Sequence, residues 1–310
     1  MEANKKSIIT AADFVRIADK EKKKEDIVRP GMSYWANVLR KMVTNKIAVI
    51  CFIYTMIIIG FAILAPILSP YNYDTTALTE GNLSPNSTHW FGTDTVGRDL
   101  WTRVWVGARV SLLIGLFGSI VPEIVGILVG GIAGYFGGWV DMVIMRIIDV
   151  GICIPSLVYV TMLMLFMGAG PVTIILALAL TGWMGSARSV RGRIMQFKNR
   201  EFVLASRALG GSPFRLIFKD ILPNIMGQIV VGITSGIPQA IFMEAYLSFI
   251  GMGVQSPMTS WGQLSQTGVN VFRIYPYQLY IPSIIISLTI LVFYIFGNCL
   301  RDALDPKLGN

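Results

Sequence analysis

The chain has 310 residues, is 54% hydrophobic and only 14% charged, and has a mean hydropathy of +0.61. Soluble domains carry roughly 25% charged residues, so this composition excludes an ordinary soluble domain and indicates an all-α polytopic membrane protein. The net charge of +8 does not indicate nucleic acid, because the basic residues are sorted by position along the chain rather than gathered with aromatics in one compact domain.

In chain order, residues 1–45 form a polar tail that is too charged for a signal peptide and is expected to be retained. Arg40, Lys41 and Lys46 are the positive flank of a first transmembrane helix at 46–69. Residues 70–104 read as an external loop ending in an interfacial helix, on which Trp101 and Trp105 share a face. The second span, about 110–135, is followed by a short turn. Gly126, Gly130, Gly134 and Gly138 recur every four residues here, a stripe that lets another backbone approach.

The third span, about 142–167, contains Pro155 and an Arg146–Asp149 pair one turn apart that reads as structural. The fourth span covers about 172–185. Residues 186–224 are polar and basic. The fifth span, about 225–250, holds Glu244; a polar segment and a sixth span, about 281–300, follow, and 301–310 is a polar tail. The tail to Lys46 holds 11 of the 26 Lys and Arg, residues 186–224 hold 8 and the C-terminal tail holds 2. Six transmembrane helices with both termini cytosolic satisfy the positive-inside rule. The core at 105–300 then has five of those helices, with cytosolic helices at 199–223.

That cytosolic stretch predicts two short helices around a tight turn. Phe202, Ala205, Ser206 and Leu209 share a face of the first. Gly210 and Gly211 end it, because glycine accepts the left-handed conformation of a helix C-terminus. Ser212 caps the second, Pro213 starts it, and Phe214, Ile217, Phe218 and Ile221 form its apolar stripe. Pro223 is expected to stop it.

No phosphate-binding glycine loop, nucleophile elbow or zinc motif is present, and His89 is the only histidine. Cys51, Cys153 and Cys299 sit in separate apolar runs and read as small buried hydrophobes. Glu123 and Glu244 are intramembrane acids and thus candidates for a transport path, with helix-to-helix hydrogen bonding as the structural reading of each. Two classes remain open on the residues alone. One is a transport subunit driven by a separate energy source; the other is an ion- or proton-coupled carrier using these two acids.

Leu204-Ala205-Ser206, three residues, Gly210, then Ile221-Leu222-Pro223 resembles the cytoplasmic loop of ABC importer permeases. That loop reads Glu-Ala-Ala, three residues, Gly, then Ile/Leu-Leu-Pro; Leu204 and Ser206 depart from it. HWFGTDTVGRDLWTRVWVGARVSLLIG from His89, EAYLSFIGMGVQSPMTSWG from Glu244, RIYPYQLYIPS from Arg273 and LRDALDPK from Leu300 resemble the dipeptide/oligopeptide branch, and most closely its C-type subunit.

The resemblance implies a type I ABC importer permease fold in a bacterial cell membrane, working by alternating access. It implies a non-catalytic subunit that binds no cofactor. ATP and Mg are then used by two ABC ATPase subunits. A homologous B-type permease, an extracellular peptide-binding protein and membrane lipid are the other partners, with no nucleic acid. Nickel and glutathione importers share the branch. The ATPase-coupling residues it implies are Glu201, Phe202, Ala205, Ser206, Leu209, Gly210, Phe214, Phe218 and Pro223.

Overall fold

The computed structural model describes residues 34–304, so the outer parts of both predicted polar tails lie outside the described residues. The chain divides into a unit at 1–37, of which only the start of the first helix is described, and a unit from Val38 onward. The described residues are helical: α1 (Tyr34–Thr44), α2 (Lys46–Leu68), a 3-10 turn (Leu78–Glu80), α3 (Leu100–Phe136), α4 (Gly138–Cys153), α5 (Ser156–Met167), α6 (Pro171–Phe197), α7 (Glu201–Ala208), α8 (Pro213–Arg215), a π-helical turn (Leu216–Ile221), α9 (Leu222–Phe249), α10 (Trp261–Val271) and α11 (Tyr277–Leu304).

Among the described residues, five helical stretches are long and apolar enough to cross a membrane: α2, α3, α6, the run Pro213–Phe249 and α11. The pair α4 and α5 passes the same test only when taken together, bent by 85°, and makes the number six if it is one broken span. The expected third span is therefore two helices and not one. Pro155 has no N–H to donate, and Ile154 before it is held extended at ψ 123°.

Other boundaries also move. The interfacial helix and second span are one 37-residue helix, α3, capped by Asp99, whose carboxylate accepts from Thr102 N at 2.8 Å. The fourth span continues as helix through Phe197 and carries Arg188, Arg191 and Arg193 with it. Pro223 does not stop the second helix of the 199–223 stretch. A π-helical turn precedes it, with Leu222 N bonded to Ile217 O, and helix runs from Pro213 to Phe249. The wider turn gives the proline ring room that an α-helical turn denies it.

α3 packs most closely on α6. A Cβ at Gly130 would lie 3.0 Å from the Ala187 Cα and collide with its carbonyl oxygen, and one at Gly134 would lie 2.8 Å from Arg191 O. Gly126 meets Ser186 in the same way. Gly138 does not belong to this stripe: its φ is +52°, nothing lies near its missing side chain, and it starts α4. Ion pairs lock the basic end. Asp141 of α4 takes two bonds from Arg191, the Nη2 contact being 2.5 Å, and Asp149 pairs with Arg188. Arg146, at 4.0 Å from Asp149, is a distant second partner on a side chain that is 78% exposed.

The opposite end is tied by the 70–99 loop. Arg103 is fully buried and donates to Tyr73 O at 3.0 Å, while Arg98 reaches Ser256 Oγ at 3.1 Å. Trp101 meets Trp105 at 5.5 Å in the aromatic cluster above α2, as their shared helix face requires.

Candidate functional site

The first candidate is the elbow at 199–223. α7 closes with the two bonds of a Schellman motif: Gly210 N donates to Arg207 O and Gly211 N to Ser206 O, each at 3.0 Å. Gly210 is left-handed, with φ +84°, and its missing side chain faces open space. Gly211 has the opposite constraint: a Cβ there would lie 2.8 Å from Ser206 O and 3.2 Å from Leu216 Cδ2. Ser212 Oγ then accepts from Arg215 N at 3.3 Å and starts α8.

One face of the elbow is anchored. Val203 is fully buried with Leu216, Ile217, Ile221 and, from α6, Val190 and Ile194. Phe218 is half-buried and stacks on Phe214 with ring centroids 4.9 Å apart. Arg207 lies over the Tyr135 ring at 5.5 Å. The other face is bare: Leu209 is 90% exposed, Phe214 71% and Phe202 44%. Glu201, Ala205 and Pro223 are also exposed, and Ser206 is half-buried.

Two features of the elbow were missed in the sequence. Asp220 Oδ2 accepts from Ser206 Oγ at 2.7 Å and so joins the two arms. Asp220 is the only acid between Glu201 and Glu244, which was the available signal. Ser206, a departure from the family pattern, is thereby given a partner. Gly211 was read only as a second helix terminator.

The second candidate is a cavity of about 460 Å³ walled by α3, α6 and α9. It contains Glu123, whose Oε2 accepts from Ser186 Oγ at 2.7 Å. Arg193, Ser119, Gln228 and Gln239 also line it. Reading 186–224 as a loop concealed Arg193. Once α6 continues as helix, Ser186, Ser189, Val190 and Arg193 fall at i, i+3, i+4 and i+7 on one face.

Glu244 is not brought to this cavity. It is fully buried, its carboxylate accepts from Ser111 Oγ at 2.9 Å and Ser248 Oγ at 2.8 Å, and Ser111 Oγ accepts from Trp261 N at 3.1 Å. That network joins α3, α9 and α10, which is the structural alternative raised for this acid.

Comparison with known proteins agrees with this architecture. Residues 126–310 match the family described as binding-protein-dependent transport system inner membrane component, and 33–85 match the N-terminal TM domain of oligopeptide transport permease C. The dipeptide transport system permease protein DppC of Bacillus subtilis is 44% identical over 296 residues, covering 95% of this chain and 92% of the relative. The oligopeptide transport system permease protein OppC of the same organism is 44% identical over 284 residues, covering 92% and 93%. The glutathione transport system permease protein GsiD of Pectobacterium atrosepticum is 35% identical over 278 residues, covering 88% and 91%. A structure of the MetNI methionine ABC transporter in inward-facing conformations shares the fold, with TM-score 0.50, 18% identity, and 66% of this chain and 94% of that chain covered. With its membrane helices and these relatives, the chain belongs to the binding-protein-dependent transport system inner membrane component family.

Proposed function

We propose that this chain is the C-type permease of an ATP-driven importer that carries dipeptides or oligopeptides into a bacterial cell by alternating access. It pairs with a homologous B-type permease, two ABC ATPase subunits and an extracellular peptide-binding protein. The chain itself binds no cofactor; ATP and Mg belong to the ATPase subunits. The observation that carries this reading is the elbow, with one face anchored in the core and the other offering Phe202, Leu209 and Phe214 to water. Exposed aromatic and aliphatic side chains on a rigid turn are the composition of an interface anchor. The basic residues around them, Arg200, Arg207 and Arg215, form its polar rim.

Glu123 is proposed to face the transport path and Glu244 to be structural. The peptide substrate follows the names of the relatives, with glutathione or nickel as the alternative cargo on the same mechanism. The test is co-purification with the ATPase, B-type permease and binding-protein subunits, followed by a peptide-stimulated ATPase assay. A stable complex whose hydrolysis rises with peptide-loaded binding protein is the expected result. Stimulation by glutathione or nickel alone overturns the substrate and keeps the mechanism. Uptake by the chain without partners or ATP overturns both.

A further inference from the structure

Three basic residues within two turns of α6 meet different fates. Arg188 pairs with Asp149 and Arg191 with Asp141. Arg193 faces the cavity, and its one side-chain partner is a long 3.4 Å contact from Nε to Ser189 Oγ. Glu123 lines the same cavity, with Ser186 as the side-chain donor to Oε2. Among the described residues no ion pair joins Glu123 to Arg193, and neither Nη1 nor Nη2 of Arg193 nor Oε1 of Glu123 has a side-chain partner. Gly232 of α9 passes close to the carboxylate, where a Cβ would make ordinary contact with both its oxygens at 3.5 Å.

A charge kept within a membrane protein is costly unless it is satisfied or functional. Here two opposite charges share one cavity with valence to spare. The remaining polar lining, including Ser119, Thr181, Gln228 and Gln239, is neutral and can donate or accept hydrogen bonds. Peptides differ in their side chains but share an α-ammonium, an α-carboxylate and amide groups. A wall that contacts only the shared groups admits many sequences.

We infer that Glu123 and Arg193 are the transit contacts for the charged ends of a zwitterionic peptide, Glu123 for the α-ammonium and Arg193 for the α-carboxylate. This deepens the importer reading above and rests on it. The neutral residues then serve the amides between the two ends.

The experiment uses the complete complex in nanodiscs, free of nucleotide and without binding protein, so that capture by that subunit does not enter. A radiolabelled tripeptide, its N-acetyl form and its C-terminal amide are each bound at equilibrium to wild type, Glu123→Gln and Arg193→Gln. Glutamine at 123 retains an acceptor for Ser186, which keeps the fold contact. On wild type each cap is expected to weaken binding about tenfold, the worth of one charge-assisted hydrogen bond. Glu123→Gln is expected to weaken the free peptide and the amide about tenfold while becoming indifferent to acetylation. Arg193→Gln is expected to weaken the free and acetylated peptides and become indifferent to amidation. Caps without effect on wild type, variants that weaken all three peptides equally, or no binding to wild type overturn the inference. A parallel assay of ATP-driven uptake with binding protein separates the two levels. Wild-type uptake of the free tripeptide, together with any of those overturning results, sinks the Glu123–Arg193 assignment alone. Absence of uptake by wild type sinks the peptide reading itself.

Discussion

Adjacent glycines in α3 are expected to respond oppositely to alanine. At Gly130 a Cβ would collide with the Ala187 carbonyl oxygen and lie 3.0 Å from that residue's Cα and carbonyl carbon, where ordinary contacts begin near 3.4 Å. The deficit is 3.4 − 3.0, or 0.4 Å, at the two carbons and larger at the oxygen. All three atoms are backbone, so no rotamer change relieves them and the helices must part. Overpacking of this kind costs about 1–3 kcal/mol. At Gly131 a Cβ would meet only Ile217 Cγ2 at 3.5 Å, an ordinary contact. Alanine there gains helix propensity of up to about 1 kcal/mol. The two variants should therefore differ by about 2–4 kcal/mol, in opposite directions from wild type. Thermal unfolding of the purified complex, scored by the folded fraction on size-exclusion chromatography, reads the difference. Adding Ala187→Gly to Gly130→Ala should restore nothing, because the obstructing atoms remain. A stable Gly130→Ala beside a damaged Gly131→Ala, or full rescue by Ala187→Gly, refutes the packing argument.

At the elbow, Gly210→Asp should keep the complex assembled and raise the ATP consumed per peptide imported. Gly210→Asn should lie closer to wild type, since asparagine accepts positive φ as aspartate does but adds no charge to the exposed elbow. Ser206→Ala and Asp220→Ala should be non-additive in a double-mutant cycle on the same ratio, with a coupling of about 1 kcal/mol; additivity means the Ser206–Asp220 bond does not matter. Glu244→Leu leaves the Ser111 and Ser248 hydroxyls without their acceptor and should destabilise the complex by about 1–3 kcal/mol in the same unfolding assay. Wild-type import should survive collapse of the proton gradient, and loss of uptake on adding a protonophore at constant ATP would revive a proton-coupled role.

Spans were legible because bilayer thickness imposes a long apolar run, which a hydropathy reading detects directly. The glycine stripe was legible at Gly126, Gly130 and Gly134 because a four-residue period places all three on one helix face. It failed at Gly138, where the chain has already turned and φ is positive. Proline was the weak signal. Pro155 sits at a sharp break, whereas Pro223 is carried within a helix, and the difference lies in the turn preceding each, which residue identity does not encode. Periodicity put Phe202 and Leu209 on one face, and both are exposed, but the stripe expected on the second helix divides, with Ile217 and Ile221 in the core and Phe214 exposed. The Ser206–Asp220 bond did not, because it depends on how two arms fold back, a distance of 14 residues in sequence. Glu123 and Glu244 looked alike in the sequence. Their separation into a cavity residue and a buried knot was decided by which helices stand beside them.

The helix from Pro213 to Phe249 has 37 residues without an intervening loop, about 55 Å at the rise of an α-helix. It carries Phe214 and Phe218 of the elbow near one end and Gln228, Gly232 and Gln239 of the cavity wall further along. On the proposed roles, selection on cargo at the cavity therefore acts on the same helix as selection on an ATPase partner at the elbow. A substitution that re-aims Gln228 for a new cargo also re-aims Phe214 for the motor. Changes of cargo in this chain should then arise first at the α6 cavity residues that precede Val190, since Val190 itself packs in the elbow's anchor, and on α9 only with compensating changes beyond Pro213.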